Sequence, residues 1–251
     1  YRLGFHAEYT TKREILEGIS ELAQKYKAPV FTHSSETKSE VEGCIERYGK
    51  TPTELFEEIG LWNWGGGGYH SVWLSDNDLQ IYKKRGLWAI INAGSNSKLA
   101  SGICDVQKMS NMGINLAVGT DGPSSNNALD MFREMYLISV LQKLKYNDAA
   151  AMDANEILKA ATSGSAKCMG LTDCDCIAEG KLADLMIIDL ERPNMQPINN
   201  ITKNLVYSGS KDDVKMTMIN GKILYENGEF VNIDKEEIYA KAQEICNRLK
   251  N

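Results

Sequence analysis

The stretch Ile114-Asn-Leu-Ala-Val-Gly-Thr-Asp121-Gly-Pro-Ser-Ser-Asn-Asn-Ala-Leu-Asp130-Met131 decides how the rest of the chain is read. Its apolar run predicts a buried strand. The strand ends on a carboxylate, Asp121, and Gly122-Pro123 stops it at once. Ser124 to Asn127 offer N-cap residues for a long helix from about Ala128 to Leu144. A carboxylate at the C-terminal tip of a buried strand loses hydration. That is costly unless a metal, a cation or hydrogen-bond donors meet it. The plain alternative is an Asp that caps its own turn. The residues upstream separate the two.

Upstream, strand and helix alternate. Arg2-Leu-Gly-Phe-His6 predicts a short strand ending on a histidine. Thr10-Thr11 then caps an amphipathic helix with Ile15, Ile19, Leu22 and Ala23 on one face. Ala28-Pro-Val-Phe-Thr-His33 is the next strand, also ending on a histidine, followed by Glu36 and a helix from about Ser39 to Arg47. Thr51-Pro52-Thr53-Glu54 is a capping box with proline at the first helical position, and its helix stops at Gly60. The glycine run from Gly65 to Gly68 makes the strand leading to His70 a weak one, though it allows close backbone approach. Ser75 starts a helix to about Lys84, Gly86 to Ile91 is a strand, Asn92 to Leu99 reads as a polar loop, and Val106 to Met112 as a short helix. After Asp121 and its helix, Asp153-Ala-Asn-Glu156 begins a further helix to about Met169. Five such alternations predict an α/β fold with a parallel sheet. The chain has three histidines, His6, His33 and His70. All three fall at predicted strand C-terminal ends, the edge where α/β folds assemble sites.

Beyond about Leu171 the pattern changes. Gly180 to Asp189, Val214 to Ile219, Lys222 to Tyr225 and Phe230 to Val231 predict short strands. Asn220-Gly221 and Asn227-Gly228 are hairpin-type turns. An amphipathic helix from about Lys235 to Leu249 follows.

Composition bounds the function. The chain has 251 residues, 43% hydrophobic, with a net charge of −6. That balance argues against bulk electrostatic binding of nucleic acid. No apolar run is long enough to span a bilayer, and the start lacks a signal-peptide pattern, so no membrane partner is expected. The six cysteines, Cys44, Cys104, Cys168, Cys174, Cys176 and Cys246, include no CxxC pair. They read as reduced thiols of a cytoplasmic protein. Because the first residue is Tyr1, the native N-terminus is expected to lie upstream.

Together these segments resemble the amidohydrolase superfamily, and within it the branch of 5-methylthioadenosine/S-adenosylhomocysteine deaminases and related chlorohydrolases. The residues that carry the likeness are Phe5-His6-Ala7-Glu8-Tyr9-Thr10, Thr32-His33-Ser-Ser-Glu36-Thr37, Glu40-Val-Glu42 with Tyr48-Gly49-Lys-Thr-Pro52, and His70-Ser-Val-Trp-Leu-Ser-Asp76. They continue with Ser95-Asn96-Ser-Lys98-Leu-Ala-Ser-Gly102, Gly119-Thr-Asp121-Gly and Ser125-Asn126-Asn127-Ala-Leu-Asp130-Met131. Ala160-Ala161-Thr162, Gly180-Lys-Leu-Ala-Asp184 and Asn220-Gly221-Lys222 complete them.

The resemblance implies a (β/α)8 TIM-type barrel plus a small β-sandwich. Residues 1–171 would supply strands four to eight of the barrel, 172–233 part of the sandwich, and 234–251 a C-terminal helix. It implies His33 and Asp121 as metal ligands, for one divalent ion, zinc or else iron. Asp121 would also take the proton of the attacking water. Glu36 would protonate a ring nitrogen, a task suited to a carboxyl whose pKa is raised by burial. His70 would hydrogen-bond the attacking hydroxide and the tetrahedral centre, and His6 would contact the purine. The implied activity is hydrolytic deamination of an adenosine-type nucleoside: 5′-methylthioadenosine, S-adenosylhomocysteine or adenosine. A guanine or s-triazine hydrolase of the same fold and a non-catalytic relative are the alternatives. A homo-oligomer is compatible with all three.

Departures from the family pattern add expectations. The His-x-His pair of the family's first strand is absent, and catalytic zinc usually takes three protein ligands. Five strands cannot close an eight-stranded barrel. The chain is therefore expected to be the C-terminal part of a longer protein, binding metal weakly and inactive alone. Ile91-Asn92-Ala93 stands where His-Asn-Pro is frequent, and Ser71 and Trp73 replace two positions of a His-Cys-x-His.

Overall fold

A computed structural model describes residues 2–250 of the chain. Five strands, β1 (Leu3–Gly4), β2 (Val30–Ser34), β3 (Gly66–His70), β4 (Trp88–Ile91) and β5 (Asn115–Val118), form one sheet in that order, every neighbouring pair parallel. Parallel neighbours need crossovers. These are α1 (Arg13–Tyr26), then α2 (Lys38–Tyr48) with α3 (Pro52–Glu58), then α4 (Asp76–Arg85), then α5 (Ala93–Lys98) with α6 (Val106–Asn111). All five C-terminal strand ends therefore lie along one edge, as the alternation predicts. The sheet leads into α7 (Pro123–Asn126), α8 (Met131–Tyr146), α9 (Ala154–Lys159), a π-helical turn (Ala160–Gly164) and α10 (Ser165–Cys168).

Side chains alternate across a strand, so the sheet has two faces. Val30, Ala89, Ile91 and Val118 join the main core, with Leu16, Phe56, Leu79, Met109 and Ile138 from the helices. The alternate residues Phe31, Ile90 and Ala117 form a second cluster with Cys168.

Several local expectations change in the structure. The glycine run is a full strand at the centre of the sheet, β3, because neighbouring backbone comes too close for side chains. A Cβ on Gly66 would run into the Val30 carbonyl, one on Gly67 into that of Trp88, and one on Gly68 into the Tyr82 hydroxyl. The polar stretch Asn92 to Leu99 is not a loop but contains helix α5. Its weak helix formers are held by a tertiary contact, Gly94 N–H donating to Glu134 at 2.8 Å. Ser124 to Asn127 do not cap the long helix. They largely form α7, and α8 starts on Asp130, whose carboxylate accepts from the N–H of Phe132 at 3.0 Å and Arg133 at 3.3 Å.

Helix α1 begins after Lys12 with no side-chain cap, so Thr10-Thr11 does not cap it. Its buried face is Leu16, Ser20 and Ala23, while Ile15 and Leu22 are exposed. Ser20 belongs to that face because its hydroxyl donates to the Ile59 carbonyl at 2.6 Å. The helix predicted to run on to Met169 is interrupted at Ala160–Gly164. The capping box at Thr51 and the Ser75 cap form as predicted.

The later residues form an antiparallel sheet ordered β6 (Leu185–Ile188), β7 (Val214–Ile219), β8 (Lys222–Glu226) and β9 (Glu229–Phe230), with an unanticipated helix α11 (Ile201–Tyr207) between β6 and β7. Asn220, Gly221, Asn227 and Gly228 have φ of 47°, 75°, 49° and 94°, the left-handed pairs that two-residue hairpins require. Ile188 and Val214 pack on the main core, tying this sheet to the larger one. The last helix, α12 (Lys235–Lys250), has no buried residue. No helix among the described residues is long and apolar enough to cross a membrane.

Candidate active site

The three histidines gather at the carboxyl edge of the large sheet. His33 lies in β2 and His70 ends β3, and their rings stack with centroids 5.3 Å apart. The His6 ring follows on the other side of His33, at 4.7 Å. Asp121 sits three residues past the end of β5, at φ 60°. One ligand atom each from His33, His70 and Asp121 fall within 4.8 Å of one another. Glu36 joins this group through His70, its Oε2 lying 3.7 Å from Nε2.

Each of these side chains is aimed by a partner. The Nδ1 of His33 lies 2.7 Å from the backbone oxygen of His6. A carbonyl only accepts, so Nδ1 carries the proton and Nε2 keeps its lone pair. The same His6 oxygen accepts from the His33 N–H at 3.0 Å and the Thr32 hydroxyl at 3.0 Å, which locks the two strand ends together. His70 is buried, and its Nδ1 pairs with Oδ1 of Asn96 at 2.8 Å, which again leaves Nε2 free. Burial pushes the His70 imidazole below the ordinary histidine range, against the pull of the Glu36 carboxylate and the Asn96 bond. Asp121 accepts from the Ser95 and Ser125 hydroxyls, both at 2.6 Å, and from the Gly122 N–H at 2.7 Å. Burial pushes this carboxyl up, but the three donors and nearby His70 outweigh it and hold it below the usual carboxylate range.

This donor set fits a divalent cation. Two imidazoles that present Nε2 and one ionised carboxylate are ligands that zinc accepts, and two histidines with one carboxylate also suit iron. Backbone and amide oxygens on the far ring nitrogens are the usual support for metal-binding histidines.

The structure thus brings together His33, His70, Asp121 and Glu36, with His6 beside them. The sequence pairs only His33 and Asp121 as ligands, and the structure puts His70 within the same reach. Glu36 is half-buried, and its Oε1 accepts from the Ser101 hydroxyl at 3.1 Å. Residue type alone does not single out the supporting residues: Ser95, Asn96, Ser101, Ser125 and Glu134. Glu134 is fully buried on α8. It accepts from the Gly94 N–H and, at 2.7 Å, from the amide of Asn126, which also donates to the Thr120 carbonyl at 2.6 Å. It therefore joins α5, which supports His70 and Asp121, to the loop that carries Asp121. A cavity of about 540 Å³ lies elsewhere, lined by Leu3, Phe31, Tyr69, Ile90 and Ala117 among others, and none of the four clustered residues lines it. Converging donors, rather than that cavity, mark the candidate site.

Known proteins resemble this chain over most of its length. A 5-methylthioadenosine/S-adenosylhomocysteine deaminase of Pyrococcus furiosus is 42% identical over 236 residues, 94% of this chain and 56% of the relative. A 5′-deoxyadenosine deaminase of Methanopyrus kandleri is 37% identical, covering 99% of this chain and 58% of the relative. The crystal structure of an adenosine deaminase from Xanthomonas campestris with bound zinc superposes with a TM-score of 0.94 at 33% identity, over 99% of this chain and 57% of that one. The chain spans little more than half the length of these relatives. The model of the amidohydrolase family matches residues 1–224. On the sheet, the clustered donors and these matches, the chain belongs to the amidohydrolase family.

Proposed function

We propose that this chain supplies part of the active site of a metal-dependent hydrolytic deaminase acting on an adenosine-type nucleoside. The observation that carries the reading is the convergence of His33, His70 and Asp121 at one sheet edge with Glu36 beside His70. The names of the two relatives point to the substrate class. On this reading residues 1–171 are strands four to eight of a (β/α)8 barrel with their helices, and residues 172–233 part of a β-sandwich.

His33 and Asp121 would hold the ion, with His70 in the same group. When bound, a divalent ion there supplies a nucleophile at neutral pH by lowering the pKa of water to about 7. Asp121, held as a carboxylate by three donors, accepts the proton of the attacking water. His70, through its free Nε2, accepts a hydrogen bond from the hydroxyl that adds to the ring carbon. Glu36 gives a proton to the adjacent ring nitrogen, which makes that carbon electrophilic. Asp121 passes the water proton on to the amino group, the C–N bond breaks as the added hydroxyl becomes a carbonyl and returns its proton to Glu36, and ammonia leaves. His6, exposed next to His33, would meet the purine ring.

The test is an ultraviolet assay of the full-length protein with 5′-methylthioadenosine, S-adenosylhomocysteine, 5′-deoxyadenosine, adenosine and guanine. An adenosine-type substrate should be converted, and Glu36→Gln should lower kcat about 10²- to 10⁴-fold, the usual weight of a general acid. Turnover of guanine alone, or of none of the five, contradicts the reading.

A further inference from the structure

Glu40 is a carboxylate in an unusual position. It lies in the first turn of α2, only 6% exposed, and Arg47, beside it, pairs with Glu8 instead. A buried, unpaired carboxylate is costly unless backbone donors replace the lost water. Here they do. Its Oε1 accepts from the Ser35 N–H at 2.8 Å and its Oε2 from the Glu36 N–H at 2.7 Å.

In an ordinary capping box the acid at the third helical position bonds the N–H of the cap residue itself. Three boxes among the described residues do so: Glu54 reaches the Thr51 N–H at 3.0 Å, Asp78 the Ser75 N–H at 2.8 Å, and Asp213 the Ser210 N–H at 2.8 Å. In α2 the cap residue is Thr37, and its N–H lies 3.5 Å from Glu40, the longest of the three contacts. The two short bonds go to the residues before the cap. Those residues form the turn that carries Glu36. Ser35 has a left-handed backbone, φ 53°, and its carbonyl accepts from the N–H groups of Val72 at 3.1 Å and Trp73 at 2.8 Å, just past His70. The turn is thus held from both sides, and Glu40 supplies the side-chain half of the grip.

We propose that Glu40 is the positioning residue for Glu36: its carboxylate fixes the Ser35–Glu36 turn and so keeps the Glu36 carboxylate beside His70. The proposal rests on the deaminase reading for what Glu36 does, and on the turn alone for how Glu36 is held. A glutamine at position 40 keeps one acceptor oxygen and turns an NH₂ donor towards the other N–H, so the grip is lost with little change in volume.

The experiment uses the full-length protein with Glu40→Gln, Glu36→Gln, the double variant, and Glu54→Gln as a control in a box remote from the site. Glu40→Gln should lower kcat about 10- to 100-fold, the usual effect of losing a supporting partner, with KM changed less than about threefold. In the Glu36→Gln background the same change should cost less than about threefold, because two residues that act as a unit are non-additive. Peptide-resolved hydrogen exchange should show the 34–37 segment exchanging faster in Glu40→Gln. Glu54→Gln should lower Tm yet leave kcat unchanged. Equal fold-losses in both backgrounds, or unchanged exchange over 34–37, would overturn the proposal. If the parent protein deaminates nothing, the deaminase reading falls, and the exchange measurement still decides whether Glu40 holds the turn.

Discussion

Ser35, His70, Ser71 and Asp121 have φ of 53°, 70°, 50° and 60°. Left-handed backbone costs a non-glycine residue on the order of 1 kcal/mol, and such strain concentrates at functional sites. These four lie at or just past the sheet's carboxyl edge, where the chain must turn sharply to aim side chains at one point. The buried acids around them pay a further cost. Burial pushes the Glu134 carboxyl above its ordinary 4.5, even with the Gly94 N–H and the Asn126 amide pulling it down. The folded state then holds this proton more tightly than the unfolded state. Its contribution to stability is complete below pH 4.5 and is lost as pH rises through the raised folded value. Glu134→Gln should therefore lower the urea midpoint overall, while flattening the decline of stability with pH that starts near 4.5. A pH dependence identical to the parent's would show that Glu134 does not carry this shift. His33, His70 and Asp121 are legible in the sequence because few residue types do such chemistry and all three fall at predicted strand ends, whereas Glu36 stands out only through the resemblance. Ser95, Asn96, Ser101 and Ser125 are not, because small polar residues fill ordinary loops and only a fold shows which of them face a carboxylate or an imidazole.

At the scale of elements, β3 is the least expected feature. Glycine weakens strands in general, yet here three glycines let β2, β4 and α4 close in on it. A Cβ on Gly68 would press on the hydroxyl of Tyr82, which is fully buried and cannot swing away. Gly68→Ala should cost about 1–3 kcal/mol, as overpacking does, read as a lower urea midpoint. Because Gly68 is two residues before His70, activity should fall as well. Unchanged stability would mean that the strand tolerates a side chain, leaving the glycines without a packing reason. Elements with strong local signals were legible: the boxes at Thr51 and Ser75 and the positive-φ hairpins at Asn220 and Asn227. Helix α5 was not, because what stabilises it is Glu134, 40 residues away in sequence. The start of α8 was misplaced by its neighbour α7, since Ser124 to Asp130 contains several residues able to cap.

For the whole molecule, strand–helix alternation is enough to imply the parallel sheet and its sequential order. Alternation also implies that the site lies at the carboxyl edge, and the converging donors are there. Closure is another matter. The second face of the sheet, with Phe31, Ile90 and Ala117, borders a 540 Å³ cavity rather than the large core. All-parallel sheets are covered on both faces, and the chain spans little more than half of its relatives. A five-stranded sheet is therefore all that periodicity within this chain can convey. The most decisive measurement is anomalous scattering at the zinc edge from crystals of the full-length protein grown with zinc. A single strong peak should appear where His33, His70 and Asp121 converge, and it should vanish in Asp121→Ala. A peak elsewhere, or deaminase activity that survives with no ion at that point, would contradict the assignment of the site.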